Sequence, residues 1–183
     1  MFMFLSMNKT RTSIPGASLH DMAPNLSAAF CAAVISGLVS TIAQIALWGI
    51  FAENSWLSML NRDTRLTAAI LMGREVLSSF GTVDWRVVTV ATLIHFALSV
   101  AYSFFFAFLA SRLNKKLWFA AGLIYGLAIY GINMYGMTFI FPWFSEVRDW
   151  ITVVAHAVFG ICLAGTYSKL SGQKLRFSSF RRG

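Results

Sequence analysis

Charged residues are scarce in this chain. Asp, Glu, Lys and Arg make up 12% of its 183 residues, and 57% are hydrophobic, whereas a soluble domain carries about 25% charged residues. Several apolar runs approach the ~20 residues needed to cross a bilayer. The composition therefore indicates an integral membrane protein. The net charge of +8 would also suit nucleic acid, but the cations lie at the ends of apolar runs, so we predict the lipid bilayer as partner and no nucleic acid.

The sequence also lacks the motifs of common enzymes. It contains no phosphate-binding glycine loop, no GxSxG, no HExxH and no pair of acids inside an apolar run. Its two cysteines, Cys31 and Cys162, lie in apolar runs and are typical of small buried side chains rather than of a disulfide framework. A zinc site needs about four ligands, more than the two histidines inside apolar runs provide. We therefore predict no enzymatic activity and no metal site.

Four apolar runs predict four membrane-spanning helices. Their approximate limits are residues 26–52, 87–110, 117–141 and 150–167. The predicted fold class is an all-α, integral-membrane four-helix bundle. We expect a mobile cytoplasmic N-tail over residues 1–25, one membrane domain over 26–168, and a basic cytoplasmic C-tail over 169–183.

The long first loop carries a shorter apolar stretch between Arg65 and Arg74. This stretch is too short to span a bilayer. It predicts an amphipathic helix that lies at the outer interface, with its arginines snorkelling to water.

The distribution of cations predicts the orientation. Ten of the fifteen Lys and Arg residues lie in the N-tail, the second loop and the C-tail, which share one side. By the positive-inside rule both termini are cytoplasmic. Five of the six tryptophans lie at or towards the outer boundary, as in an interfacial belt.

Each predicted span contributes one hydrogen-bonding side chain at a similar depth. Gln44, His95, Asn133 and His156 each lie seven to nine residues from the outer end of their span, or roughly 10–14 Å at 1.5 Å per residue. Polar groups in hydrocarbon are costly unless they find partners. The four side chains are therefore expected to point inward and meet in one polar layer.

Small residues and one turn accompany the polar layer. Gly122, Gly126 and Gly160 fall on the same helix faces as Asn133 and His156, so we expect close helix packing there. The turn between the last two spans is expected to form a lid over the layer, with a local ion pair. Its residues are Pro142, Trp143, Glu146, Arg148 and Asp149.

Three roles for the polar layer are open. Interhelical hydrogen bonds fix helix rotation and register, so the layer could be structural. Ionisable residues inside a membrane mark functional sites, so it could bind a ligand, an ion or a proton. His95 and His156 lie on different helices at one depth, so they could also be axial ligands of haem b. Apart from that alternative, no cofactor is predicted.

The last three spans resemble a family of small bacterial membrane proteins. The shared motifs are HFxxSxxY from His95, LWxxxGxxxG from Leu117, FPWF from Phe141 and HxxFG from His156. In this order and spacing they are similar to the inner-membrane proteins related to YagU, and to short relatives often labelled sodium:proline symporters. The resemblance covers about residues 65–168. It implies a multi-pass protein of the bacterial inner membrane with four helices.

The leading functional interpretation is a non-enzymatic inner-membrane protein, either an accessory subunit of a larger complex or a stress-related membrane component. The alternative is a small permease or channel for an ion, a proton or a small solute. Four spans without an obvious internal repeat would need to form a homo-oligomer for transport. A haem-binding electron carrier is the third interpretation.

Overall fold

The computed structural model describes residues 24–78 and 83–180, with side chains described up to Gly172. Within these ranges the chain is helical and contains no strand. The long helices are α1 (Leu26–Phe51), α2 (Trp56–Met72), α3 (Trp85–Ala110), α4 (Trp118–Gly131) and α5 (Trp150–Phe180). The described residues include four helical segments long and apolar enough to cross a membrane, namely Leu26–Phe51, Trp85–Ala110, Lys115–Phe139 and Trp150–Gly172. The prediction of an all-α fold with four helices long and apolar enough to span a membrane is thereby confirmed.

Short polar side chains begin three of the helices. The carboxamide of Asn25 accepts from the Ala28 amide at 3.2 Å, and the Asp84 carboxylate accepts from the Arg86 amide at 2.8 Å. The Ser55 hydroxyl accepts from the Leu57 amide at 3.3 Å. These bonds satisfy amides that have no partner inside the helix. At Asn25 and Asp84 these bonds start the helices close to the beginning of an apolar run.

The spanning helices pack unevenly around the bundle. α1 packs along both α5 and α3, and α4 packs along α5, whereas α3 and α4 share few backbone contacts. Between α3 and α4 the rings of Phe105 and Phe106 lie against Tyr125, with centroids 6.2 and 5.4 Å away. Large aromatic side chains therefore hold these two helices apart.

One end of the bundle, which we call the hairpin end, carries the turn between α3 and α4. Its core is tightly packed around Phe106, Leu163 and Ala164, each 0% exposed. Trp118 and Tyr167 complete this core, with ring centroids 5.6 Å apart. The hairpin end is therefore closed by side chains.

The opposite end, which we call the α2 end, is covered by α2 and by the 3-10 turn Pro142–Val147. Leu66 of α2 is buried with Met134, Phe144 and Val147. Arg65 is 2% exposed and donates to the Val76 carbonyl at 2.9 Å. The expected snorkelling to water is wrong for Arg65, because α2 is packed into the bundle along that side. The interfacial position of α2 stays a prediction.

Two of the helices differ from the predicted spans. The third span is not one α-helix, because α4 passes into a π-helix at Ile132–Gly136 and a 3-10 turn at Met137–Phe139. The helix α5 continues to Phe180, into the predicted C-tail. The predicted mobile N-tail falls almost wholly on residues 1–23, which lie outside the described residues.

Candidate functional site

A cavity of about 460 Å³ lies in the half of the bundle nearer the α2 end. We call it the polar cavity. All five long helices or their extensions line it, and the four residues of the predicted layer are on its wall. The other polar side chains on the wall are Ser40, Thr41, Asp63, Thr64, Thr67, Thr92, Ser99, Tyr102 and Thr152. The rest of the wall is aliphatic and aromatic, so the space is amphipathic.

A chain of hydrogen bonds crosses the cavity wall from α3 to α5. The Tyr102 hydroxyl donates to Oδ1 of Asn133 at 2.6 Å, and Nδ2 of Asn133 lies 3.4 Å from Nε2 of His156. His156 Nδ1 lies 2.8 Å from the Thr152 carbonyl. Because a carbonyl only accepts, Nδ1 carries the proton, and a neutral ring then accepts at Nε2. These bonds give Asn133 and His156 fixed orientations.

The π-helix places Asn133 in this chain of bonds. A π-turn leaves backbone carbonyls without their usual partners, and Arg148 supplies one: its Nε donates to the Met134 carbonyl at 2.7 Å. Its Nη2 donates to the Thr138 hydroxyl at 2.8 Å, and its guanidinium lies 4.4 Å from the Tyr135 ring centroid. π-turns recur at functional sites in proteins. Here the turn and Arg148 form one unit beside the cavity.

Arg148 does not form the ion pair expected in the outer turn. The salt bridge found among the described residues joins Arg62 and Asp63. The Asp149 carboxylate instead accepts from the Thr152 amide at 2.8 Å. The guanidinium of Arg148 instead donates to the Met134 carbonyl and to the Thr138 hydroxyl.

Gln44 meets a residue that the polar-layer prediction did not include. Its Nε2 donates to Oδ2 of Asp63 on α2 at 3.3 Å, and Arg62 binds Oδ1 at 2.8 Å. Burial raises the pKa of Asp63 to about 6, although Arg62 opposes this shift and Asp149 adds to it. Asp63 was missed because α2 was expected to lie outside the bundle. A signal for its burial was present in the sequence, because Asp63, Thr67 and Ile70 share one face of a helix and all three line the cavity.

His95 faces α1 rather than the other three layer residues. Its Nε2 lies 3.4 Å from the Thr41 hydroxyl. A β-carbon placed on Gly37 would lie 3.2 Å from the same nitrogen. Because Gly37 has no side chain, the imidazole of His95 can pack closely against α1 at this position. The layer is thus three contacts around one cavity (Gln44 to Asp63, His95 to Thr41, Asn133 to His156) rather than one network.

Two buried polar atoms on residues of the wall have no hydrogen-bond partner among the described residues. They are Nε1 of Trp48 and Oγ1 of Thr152. Trp48 is 2% exposed and Thr152 is 4% exposed. Buried polar groups are nearly always satisfied by protein, water or ligand. Both atoms have almost no accessible surface, so they are packed behind the wall and do not face the open space of the cavity.

The predicted glycines bring α4 and α5 into backbone contact. A β-carbon on Gly122 would lie 2.5 Å from the Gly160 carbonyl oxygen, and one on Gly126 would collide with the His156 carbonyl. A β-carbon on Gly160 would in turn collide with the Gly122 carbonyl. This contact fixes the backbone of His156 against α4. The wall that carries Asn133 and His156 is therefore rigid on the α4–α5 side.

The outer turn holds α2 against the bundle. Trp143 Nε1 donates to the Leu66 carbonyl at 2.9 Å, and the Arg74 guanidinium lies 5.4 Å from a Trp143 ring centroid. Pro142 begins the 3-10 turn, and Glu146 is exposed. Phe144 and Val147 line the cavity. The turn therefore covers the cavity at the α2 end, as the lid interpretation expects, mainly with apolar side chains.

The positions of His95 and His156 can be compared with what a metal site or haem ligation would require. No group of three or more His, Cys, Asp or Glu residues within the described ranges is arranged to hold a metal ion. The Nε2 atoms of His95 and His156 are directed at Thr41 and Asn133. Haem ligation through these atoms would require both imidazoles to leave these contacts.

Comparisons with protein-family models, with curated proteins and with solved structures find no match to this chain.

Proposed function

We propose that the protein binds a small ligand in the polar cavity and acts by binding rather than by catalysis. The supporting observation is that hydrogen-bonding groups from all five long helices, including the π-turn that extends α4, converge on one space of about 460 Å³. Ligand sites typically enclose about 300–1,000 Å³ and combine apolar walls with a few polar groups. The cavity has this size and this mixture.

A purely structural layer accounts for less of the geometry. Protein interiors are close-packed, and voids larger than a water molecule are few. Side chains that served only to join helices would be expected to close on one another. Instead Gln44, His95 and the Asn133–His156 pair each find a different partner around the cavity. The arrangement favours a site that holds a molecule.

The transport alternative requires a further step. The hairpin end is filled by Phe106, Leu163 and Ala164, each 0% exposed. A carrier would have to open this packing, and a channel through one protomer would have to remove it. Ligand binding needs neither change, so we propose it ahead of a permease or channel.

We also propose that the protein lies in a bacterial inner membrane with both termini cytoplasmic and α2 on the outer side. The supporting observation is the excess of Lys and Arg in the tails and in the α3–α4 turn. The resemblance to proteins related to YagU, the accessory-subunit and stress-related roles, and a homo-oligomer or larger complex stay predictions.

Saturable photolabelling tests the ligand-binding proposal. Protein in lipid nanodiscs is irradiated with an octanol that carries a diazirine ring, and labelled residues are mapped by mass spectrometry. We expect labelling of the wall around Asn133, Met134 and His156 that excess octanol suppresses. Labelling that is confined to lipid-facing residues, or that excess octanol leaves unchanged, would contradict ligand binding.

Two variants of α2 provide the matched control. Thr67→Phe adds bulk at a half-buried residue of the cavity wall, and Ser58→Phe adds the same ring at an exposed residue of the same helix. Saturable labelling should be lost in the first variant and retained in the second. An absorption spectrum of the same samples tests haem, because a Soret band that disappears in His95→Gln and His156→Gln would favour the electron-carrier interpretation instead.

A further inference from the structure

Four of the residues that line the polar cavity are also exposed on the surface of the bundle. Leu38 and Ile42 on α1 are 49% and 64% exposed, and Leu98 on α3 is 38% exposed. Thr92 on α3 is the fourth. A residue that both lines a cavity and is exposed marks a place where the cavity opens. We call these four residues the lateral mouth.

The lateral mouth lies well within the apolar spans. Ile42 is nine residues from the end of α1 at Phe51, and Thr92 is seven residues from the start of α3 at Trp85. At 1.5 Å per residue these separations are about 10–14 Å. Leu38 and Leu98 lie deeper, 13 residues from the same helix ends. Along helices that cross a bilayer, these depths correspond to acyl chains rather than to water.

The ends of the bundle are less open than its side. At the α2 end Leu66, Phe144 and Val147 are 1%, 9% and 4% exposed. The side chain of Asp63, which is 21% exposed, is the ionisable group of the wall nearest to water at that end. The hairpin end is closed by its packed core. The wall residues that are exposed therefore indicate an approach from the side of the bundle, where the lipid would lie.

The charges of the wall indicate a neutral guest. Among the described residues, Asp63 is the cavity-lining group with a full charge, and Arg62 pairs with it at 2.8 Å. The other polar groups nearby are hydroxyl, amide and imidazole groups, which both donate and accept hydrogen bonds. A hydroxyl or carbonyl head group fits such partners without an unpaired charge in a medium where charge is costly.

We propose that the ligand is a neutral, membrane-soluble amphiphile that enters from the bilayer through the lateral mouth. Its hydrogen-bonding head lies at the Asn133–His156 pair, and its apolar chain lies between Leu38, Ile42 and Leu98. This proposal rests on the ligand-binding function proposed above, and it adds the class of ligand and the route of entry.

Two exposed threonines on α3 provide a matched test of the route. The hydroxyls of Thr89 and Thr92 each donate to the carbonyl four residues earlier at 2.8 Å. Only Thr92 lines the cavity. In Thr92→Trp, the saturable labelling of Asn133 and His156 by the diazirine-bearing octanol should fall several-fold, whereas Thr89→Trp should label like the wild type.

A second matched pair of variants, on α1, keeps the test valid if Thr92→Trp fails to fold. Leu38→Trp narrows the lateral mouth, and Ile35→Trp changes a residue that is 42% exposed but does not line the cavity. If wild-type labelling is saturable and neither Thr92→Trp nor Leu38→Trp reduces it, ligand binding stands and lateral entry is wrong. If the wild type shows no saturable labelling, the ligand-binding function itself is wrong.

Charged probes and a thiol test the neutral class and the aqueous route. Diazirine-bearing octanoate and octylammonium should label the cavity several-fold less than the octanol, and equal labelling would overturn the neutral class. In Ser99→Cys protein, with Cys31 and Cys162 changed to Ser, a neutral bilayer-soluble maleimide should react faster than a charged, membrane-impermeant one. Equal rates would mean that molecules enter from water past Asp63, which would overturn lateral entry.

Discussion

The Nδ2 atom of Asn133 lies 3.4 Å from the Nε2 atom of His156. This contact joins the π-turn that extends α4 to α5, six residues from the start of α5 at Trp150, at the wall of the polar cavity. The Oδ1 atom of Asn133 also accepts from the Tyr102 hydroxyl on α3 at 2.6 Å. One carboxamide therefore connects three helices at the proposed binding site.

Replacement of Asn133 by leucine should destabilise the bundle. Asn133→Leu leaves the Tyr102 hydroxyl and Nε2 of His156 without their hydrogen-bond partner. We expect a loss of about 1–2 kcal/mol in the free energy of unfolding, because interhelical hydrogen bonds in bilayers are each worth about 0.6 kcal/mol and buried groups left unpaired add to this. Denaturant titration in mixed micelles measures it. The control is Asn54→Leu at an exposed loop position. An Asn133→Leu protein as stable as the control would show that the contact is not formed.

A methyl group at the α4–α5 contact should be poorly tolerated. In Gly126→Ala the new β-carbon meets the His156 carbonyl, so the helices must separate, and overpacking of this kind costs about 1–3 kcal/mol. Gly131→Ala places its methyl group where no atom lies within 4 Å, and it should be neutral or stabilising by up to about 1 kcal/mol. Thermal unfolding compares the two variants, and equal melting temperatures would argue against the backbone contact.

Loss of the Arg148 guanidinium should loosen the π-turn. Arg148→Gln removes the ring contact with Tyr135 and weakens the bond to the Met134 carbonyl. We expect faster amide hydrogen exchange between residues 132 and 139 and weaker labelling of the cavity. The control is Arg86→Gln, an exposed arginine at the start of α3. Exchange that changes equally in both variants, or in neither, would remove Arg148 from this role.

Asp63 should make stability depend on pH. Its pKa is raised from 3.8 to about 6 in the folded protein, so the folded state binds a proton more tightly than the unfolded state does. Asp63 therefore favours folding most below about pH 4, and this contribution is lost as the pH rises to about 6, on the order of 3 kcal/mol in total. In Asp63→Asn the contribution is absent. The stability difference between wild type and variant should change over this range, and a constant difference would contradict the burial of Asp63.

Hydrophobic length and charge placement predicted the four spanning helices. Apolar runs of about 20 residues have one solution in a bilayer, because each backbone group must be paired within its own segment. The same logic of depth pointed to Gln44, His95, Asn133 and His156, which the structure places on one cavity wall. The depth of these polar residues in the sequence does not show whether the wall binds a ligand, and that role stays a prediction.

The π-turn and the position of α2 were not predictable from periodicity. A regular helix with 3.6 residues per turn would place Gly136 on the same face as Asn133. The π-turn changes this register, and a β-carbon on Gly136 would have no atom within 4 Å. The buried Arg65 and the Gln44–Asp63 contact depend on α2 folding back onto α1 and α3. The helical face shared by Asp63, Thr67 and Ile70 indicates that one side of α2 is buried, but it does not show against which helices, because those partners are distant in sequence.

Imidazole ¹⁵N spectra of the protein in nanodiscs, titrated with 1-decanol, test whether a ligand binds between Asn133 and His156. The resonances are assigned with His95→Gln and His156→Gln, and His20, outside the four spans, is the internal reference. We expect a saturable shift of the His156 Nε2 resonance without a saturable shift at His20. A His156 resonance that does not respond, or that moves linearly together with the reference, would contradict a ligand site between Asn133 and His156.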